Sequence, residues 1–229
     1  MSTGNFYGSD EGFEDFIRDV RAECPGRRTT FYVMVKRLFD LAGSLFGLLL
    51  ILPLLPFIVM LIKLETPGPI FFKQLRVGYR GRMFHCYKFR SMAMDAEDQK
   101  EQMQHLNEAT GAAFKIKDDP RITGVGRFLR RSSLDEFPQL INVFVGDMSI
   151  VGPRPQIPSE VQDYTPAQAC RLLVPPGLTC LWQVSGRSHL DFTEWMELDR
   201  DYVRQVGFKM DFYVLTRTLP AVIERKGAY

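Results

Sequence analysis

From Leu41 to Ile62 the chain carries 22 successive residues without a charge, with Lys36, Arg37 and Asp40 at one edge and Lys63 and Glu65 at the other. As one straight helix this run would be about 33 Å long, enough to cross a bilayer core of ~30 Å. It predicts a membrane element over residues 31–64. Pro53 and Pro56 stand at and just past its middle. Each removes a backbone donor and clashes with the carbonyl four residues back, so a bend is predicted near Leu49–Leu52. The carbonyls freed there need partners that lipid does not offer, and Ser44 stands too far along the helix to be an obvious one. A spanning helix should show a Lys/Arg excess on its cytoplasmic side. Within 20 residues of the run, five cations precede it (Arg21, Arg27, Arg28, Lys36, Arg37) and five follow it (Lys63, Lys73, Arg76, Arg80, Arg82). That balance favours a re-entrant helix-break-helix with both flanks on the cytoplasmic face over a kinked span.

The remaining pattern divides the chain into an N-terminal extension over 1–30 and a catalytic-sized domain over 65–229. In the extension, Phe13, Phe16, Ile17 and Val20 fall at helical spacing within 11–23, so a short helix is predicted that lies on a membrane surface or packs elsewhere. Pro67-Gly68-Pro69 ends the membrane element sharply. Ile70–Phe72 and Met83–Phe89 read as strands around a Gly-bearing turn over 77–82, a hairpin. Residues 91–110 read as a polar helix, and Asp118-Asp119-Pro120 as a turn. Gly124 and Gly126 lack the strand and spacing of a dinucleotide loop. Over 132–145, Leu134, Phe137, Ile141 and Phe144 recur at helical spacing and predict an amphipathic helix. Ser133 and Glu136 have capping-box spacing, whereas Pro138 fits the first turn better with Asp135 as the cap. Residues 175–187 read as a Pro/Gly-led turn with a short apolar strand, and 191–206 and 211–225 as helices. No internal repeat is present.

Composition narrows the partners. The net charge of +2 gives no case for nucleic-acid binding by charge alone. The cations cluster instead, as Arg76, Arg80 and Arg82 and as Arg121, Arg127, Arg130 and Arg131. Such clusters suit anionic headgroups or phosphorylated ligands, though each taken singly is equally a solvated basic surface. The four cysteines, Cys24, Cys86, Cys170 and Cys180, have no CxxC spacing and no histidine at a ligand interval. Neither a zinc site nor a disulfide framework is expected, in keeping with a reducing compartment. The apolar run begins too late and is too long for a cleaved signal peptide.

Two features carry chemistry. Asp135 and Glu136 are adjacent carboxylates at a helix start beside Arg130 and Arg131. On spacing alone the first reading is first-turn acids favoured by the helix dipole; the other is a pair that holds a magnesium ion and a phosphoryl group, one of them serving as the phosphoryl-accepting nucleophile. Arg154 is fixed between Pro153 and Pro155, and a pre-organised guanidinium suits bidentate phosphate binding. The bland reading is a Pro-rich surface loop.

Read together, several runs resemble the bacterial sugar transferase family, the monotopic polyprenyl-phosphate phosphoglycosyl transferases. They are Lys36-Arg37-Leu38-Phe39-Asp40, Pro67-Gly68-Pro69-Ile70-Phe71-Phe72-Lys73-Gln74, Tyr87-Lys88-Phe89-Arg90-Ser91-Met92, Asp118-Asp119-Pro120-Arg121-Ile122-Thr123, Ser133-Leu134-Asp135-Glu136-Phe137-Pro138-Gln139-Leu140, Gly146-Asp147-Met148-Ser149, Val151-Gly152-Pro153-Arg154-Pro155 and Gly177-Leu178-Thr179. The resemblance spans about residues 33–229. It implies a mostly helical α/β domain seated on the inner membrane by a re-entrant helix and amphipathic helices, with its catalytic part on the cytoplasmic face. It implies transfer of a sugar-1-phosphate from a nucleotide (UDP) sugar to polyprenyl (undecaprenyl) phosphate, with UMP released, as the first step of exopolysaccharide, O-antigen or capsule assembly. Carried over by position, Asp135 looks like the nucleophile and a magnesium ligand, Glu136 like its partner, and Lys88, Arg154 and Arg130 like phosphate contacts. Mg²⁺ is the implied cofactor. Nucleotide sugar, polyprenyl phosphate and membrane lipids are the implied partners, with a homo-oligomer open and no nucleic acid.

One departure from the family pattern is Leu52-Pro53 where a Ser-Pro pair is often found at the bend. Only about 30 residues precede the core, which looks like a minimal form. Trp182-Gln183-Val184-Ser185-Gly186-Arg187 and the closing Gly227-Ala228-Tyr229 look more like exopolysaccharide and O-antigen members, which favours a hexose-1-phosphate donor over a di-acetamido sugar. The competing readings are a non-catalytic membrane-anchored scaffold, indifferent to substitution of Asp135, and a lipid- or nucleic-acid-binding protein with steeply salt-dependent binding and no nucleotide turnover.

Overall fold

The computed structural model describes residues 10–26, 28–107, 116, 118–186 and 191–223. Of the expected features, the end of the polar segment at 108–110, Lys117, Arg187, the C-terminal end of the last helix beyond Ile223 and the closing tripeptide lie outside them.

The described chain is mostly helical, with two small sheets. Helix α1 (Asp10–Glu23) buries Ile17 and Val20 completely. It packs on α8 (Pro166–Ala169) and the 3-10 turn after it. The extension therefore shares the main core, which also holds Val77, Val151, Val161, Tyr202 and Val214.

Helix α2 (Thr30–Ile51) is capped by Thr29, whose hydroxyl accepts from the Tyr32 amide at 3.2 Å. It stops at Pro53, and α3 (Leu55–Glu65) continues at 63° with Pro56 in its first turn. The bend lies at Leu52–Leu54, slightly beyond the expected Leu49–Leu52. The Leu52 amide still reaches the Leu48 carbonyl at 3.1 Å; past Pro53, which has no N–H to give, the Leu54 and Leu55 amides turn to carbonyls three residues back, Ile51 at 3.0 Å and Leu52 at 3.3 Å. Ser44 donates to the Leu41 carbonyl at 3.1 Å and takes no part in the bend.

Strands β1 (Phe71–Val77) and β2 (Met83–Phe89) form the expected antiparallel hairpin, in register from Phe71 opposite Phe89 to Val77 opposite Met83. The first strand runs longer than its apolar core suggested. Among its described residues the polar segment holds a short helix, α4 (Asp98–Gln102), and a 3-10 turn at Gln104–Leu106.

Helix α5 (Gly124–Arg131) packs against α3 around Ile58, Ile62 and Leu129. Gly126 permits the contact of α5 with the end of the hairpin, since a Cβ there would lie 2.0 Å from the Ser91 carbonyl oxygen. The amphipathic helix predicted over 132–145 is broken. Residues Leu134–Glu136 form a separate 3-10 turn, and α6 (Gln139–Val145) begins after Pro138. Its buried face is Leu140, Val143 and the polar Gln139 and Asn142, whereas Ile141 and Phe144 point outward. Asn142 explains the inversion: its amide donates to the His85 carbonyl at 2.7 Å and its oxygen accepts from the Tyr87 amide at 3.1 Å, stitching α6 to β2.

A second sheet pairs β3 (Ser149–Val151) in parallel with β4 (Gly177–Thr179). Helices α7 (Pro158–Val161) and α8 (Pro166–Ala169) fill the crossover between them; β4 is the short strand expected within 175–187, and α9 (Leu181–Ser185) follows it. Helices α10 (Phe192–Arg204) and α11 (Phe208–Ile223) complete the described residues.

Polar ties fix α2 to the domain. Asp40 accepts from the Ile150 amide at 2.9 Å and the Ser149 hydroxyl at 3.0 Å. Arg37 donates to the carbonyls of Val143 and Phe144, both at 2.7 Å, at the end of α6. Asp211 accepts from Lys36 at 2.7 Å, Tyr32 at 2.8 Å and Tyr202 at 2.7 Å. Beyond these ties α2 and α3 leave Phe39, Phe46, Leu49 and Phe57 more than half exposed.

Cys24 and Cys170 are joined by a disulfide across 146 residues of sequence. This corrects the expectation that the cysteines form no framework. Spacing carries no information about a pair that meets only because the apolar face of α1 packs on α8. The compartment argument drawn from cysteine spacing falls with it.

Candidate active site

The site lies where α5, the 134–136 turn, β2 and the 152–156 loop meet. Ser133 has a left-handed backbone, φ 57°, which a serine adopts only at a cost in conformational energy. This step ends the run of α5, so that the next turn starts in a new direction. Ser133 forms no side-chain cap, and Asp135 does not open a helix. Neither capping alternative read from the sequence holds: the acids occupy a tight turn whose direction is set by one strained residue.

Glu136 accepts from Lys88 Nζ at 2.7 Å and from Arg154 Nη1 at 3.3 Å. Burial alone would raise its carboxyl. The charges and hydrogen bonds of Lys88 and Arg154 outweigh that and hold it well below the usual carboxylate range. Asp135 is 7% exposed. Burial pushes its carboxyl up to about 6; the charges of Lys88, Arg130 and Arg154 oppose the rise, and that of Glu136 adds to it. Among the described residues no hydrogen bond reaches the Asp135 carboxylate. The two adjacent acids are thus differentiated by their partners. Glu136 is ionised and holds two cations in place. Asp135 keeps its oxygen lone pairs open.

The cations are themselves supported. Arg154 rides on a loop tied at every residue. The Gly152 amide donates to Thr179 at 3.0 Å, and the Pro153 carbonyl accepts from Gly177 at 2.8 Å. The Arg154 carbonyl accepts from Arg171 Nη2 at 2.7 Å, and the Pro155 carbonyl from Arg76 Nη1 at 2.8 Å. Gly177 is required there, since a Cβ on it would lie 2.1 Å from the Gly152 nitrogen. Arg171 is itself neutralised by Asp199 at 2.6 Å, both side chains almost fully buried. Arg130 donates from Nε to the Ser91 hydroxyl at 2.9 Å, with its charge acting on Asp135.

The structure brings together the residues expected at the site: Asp135, Glu136, Lys88, Arg154 and Arg130. It divides the basic clusters. Arg121 is buried and paired with Asp119 at 2.6 Å, so it is no headgroup ligand. Arg76 turns inward to the loop rather than outward. Sequence reasoning missed Arg171, Asp199 and Asn142. Asn142 alone carried a signal, as a polar residue in the apolar stretch Leu140–Val145.

Residues 31–225 match the family model described as bacterial sugar transferase. The chain belongs to that family. This sugar transferase is 43% identical over 198 residues to a galactosyl transferase, CpsE, of Streptococcus agalactiae, a match covering 86% of this chain and 44% of the relative. It is 40% identical over 199 residues to an undecaprenyl-phosphate galactose phosphotransferase of Salmonella typhimurium, covering 85% and 42%. It is 38% identical over 200 residues to the exopolysaccharide production protein ExoY of Rhizobium meliloti, covering 86% and 88%. The matched region therefore makes up less than half the length of the first two relatives and most of the third.

Proposed function

We propose that this sugar transferase moves a sugar-1-phosphate from a nucleotide sugar, with UDP as the nucleotide, to polyprenyl phosphate. The product is a polyprenyl-diphospho-sugar that initiates assembly of an extracellular polysaccharide. The observation that carries the reading is the split between the two acids: a buried Asp135 that accepts no hydrogen bond among the described residues, next to a Glu136 that anchors Lys88 and Arg154.

In the first half-reaction an Asp135 oxygen attacks the phosphorus that bears the sugar. The bond from that phosphorus to the bridging oxygen breaks, and UMP leaves with that oxygen. In the second, an oxygen of polyprenyl phosphate attacks the aspartyl-bound phosphorus; the acyl-phosphate P–O bond breaks and Asp135 returns as a carboxylate. The soluble and membrane-bound substrates then need not meet. Lys88, Arg130 and Arg154 face the diphosphate and offset charge as it shifts to the leaving phosphate.

The donor set suits magnesium of a substrate-sharing kind. Among the described residues no three His, Cys, Asp or Glu side chains converge. One chain carboxylate, Asp135, with diphosphate oxygens is the arrangement this ion commonly takes. When bound, Mg²⁺ supplies charge neutralisation on the diphosphate.

The seat is the cytoplasmic face of the inner membrane, with α2 and α3 entering and returning by the same side. Supporting this are the 63° bend, the exposed apolar side chains of both helices and the even split of flanking cations. The outward Ile141 and Phe144 of α6 and Phe212 and Leu219 of α11 add interfacial surface. The relatives named for galactose transfer favour a hexose-1-phosphate donor.

The test is UMP release by protein in nanodiscs with undecaprenyl phosphate, Mg²⁺ and a panel of UDP-sugars. Release with one sugar, abolished in Asp135→Asn and strongly reduced in Glu136→Gln, is the expected result. Full activity in Asp135→Asn would overturn the covalent mechanism.

A further inference from the structure

Helix α5 has three faces, and the site described above uses only one of them. Gly126 and Leu129 are buried against the domain and α3. Arg130, on the flank, is held by Ser91 and acts on Asp135. The outer face carries Gly124, Arg127, Phe128, Arg131 and Ser132 around an open concavity of about 280 Å³. Arg127 and Arg131 are exposed, one helical turn apart, and among the described residues neither meets an acceptor. Between them Phe128 is 56% exposed. A pair of exposed guanidinia flanking an unburied aromatic ring gains nothing for folding.

The surroundings give this face a direction. Glu65, the last residue of α3, accepts from the amides of Gly124 at 2.6 Å and Val125 at 2.9 Å. Its charge is thus engaged by the start of α5, at the end away from Arg131. The tie places Leu64, 77% exposed, beside the same end of the helix. The start of α5 therefore adjoins the exposed end of the bent helix pair. At its other end Arg131 is followed within four residues by Asp135.

We propose that the outer face of α5 is the docking site through which the acceptor reaches Asp135. Arg127 and Arg131 take the terminal phosphate monoester, and Phe128 lies against the first part of its apolar chain. A monoester approaches two negative charges, which two guanidinia match and a singly charged phospholipid diester does not. The phosphate arrives at the depth of headgroups, where arginine is placed to meet it. Arg130 is the next cation along the same helix, so the phosphate passes from the outer pair to the flank that faces the carboxylate. The assignment rests on the acceptor class of the proposed function, and its test is made independent of turnover.

Full-length protein in phosphatidylcholine nanodiscs is titrated with farnesyl phosphate, without any sugar donor, and bound ligand is read by native mass spectrometry. Arg127→Gln/Arg131→Gln should weaken binding at least tenfold, and Phe128→Ser to a smaller extent. Both arginines are exposed and unpaired, so tryptophan emission and the melting temperature should be unchanged. Dioleoyl phosphatidylglycerol at tenfold excess should displace less than half of the bound farnesyl phosphate. Unchanged affinity in the double variant overturns the proposal. So does displacement by phosphatidylglycerol at equal concentration, which would make the face a general anionic-lipid seat. In turnover, the double variant should raise KM for the acceptor with kcat within about twofold, and leave acceptor-free UMP release intact. Wild-type binding of farnesyl phosphate with no UMP release under any condition would sink the proposed function and leave this site standing.

Discussion

Asp135→Asn should stabilise the protein while it abolishes transfer, and the size of the gain follows from the burial of the carboxylate. Its ordinary value of 3.8 is pushed up to about 6 in the fold. At about 1.4 kcal/mol per pH unit, keeping this group ionised at neutral pH costs the native state about 3 kcal/mol. The sign is that of a raised acid. The folded protein binds the proton more tightly than the unfolded chain, so the group's favourable contribution is complete below pH 3.8 and is lost as pH rises through 6. Asparagine has nearly the same shape and never ionises. At pH 7.5 the variant should be more stable by up to about 3 kcal/mol, a rise in melting temperature of roughly 6–12 °C for a chain of this size. At pH 4 the advantage should fall below about 1 kcal/mol, because the wild-type carboxyl is then protonated in the fold. Thermal unfolding in nanodiscs, followed by emission of Trp182 and Trp195, whose rings are in contact, reads both. A variant no more stable than wild type at pH 7.5, or an advantage independent of pH, would refute the claim that Asp135 is held ionised against its surroundings. A gain in stability on losing a catalytic group is the signature of a residue kept for chemistry.

Three further outcomes follow. The rate of UMP release should fall with unit slope below about pH 6 as Asp135 takes up its proton, and Lys88→Met should move that limb to higher pH by removing a cation that opposes the rise; a limb that does not move would show that another group titrates. Leu129→Ala should cost about 2–5 kcal/mol, since Leu129 is fully buried between α5 and α3, and denaturant unfolding would contradict this with a change under 1 kcal/mol. Breaking the Cys24–Cys170 bond with a phosphine reductant should lower the melting temperature of the wild type but not of Cys24→Ser, by an amount equivalent to roughly 2–4 kcal/mol; equal response of the two proteins would show that the bond does not hold α1.

What the sequence by itself determined is what neighbouring residues decide. An uncharged run of 22 residues with Pro53 and Pro56 inside it sets both a long helix and its bend. The Gly-bearing turn between two apolar runs sets the hairpin, and the prolines flanking Arg154 set its loop. Asp135 and Glu136 were legible as a pair, because two acids among arginines are conspicuous. Their difference was not. It depends on Lys88, 48 residues away from Glu136, and on Arg154, 18 away. Periodicity over 132–145 suggested one helix and misplaced its buried face. The strained Ser133 and the bonds from Asn142 to β2 override the hydrophobic stripe there. The same holds for cysteines 146 residues apart, for the parallel pairing of β3 with β4, and for the arginines. Arg121, Arg127, Arg130 and Arg131 look alike in a line of sequence, yet one is buried in an ion pair, one acts on the carboxylate and two are exposed on the outer face of α5. Backbone preference and hydrophobic period act over a few residues and can be read along the chain. The charge state of a carboxylate depends on which distant cations surround it, and only the tertiary structure decides that.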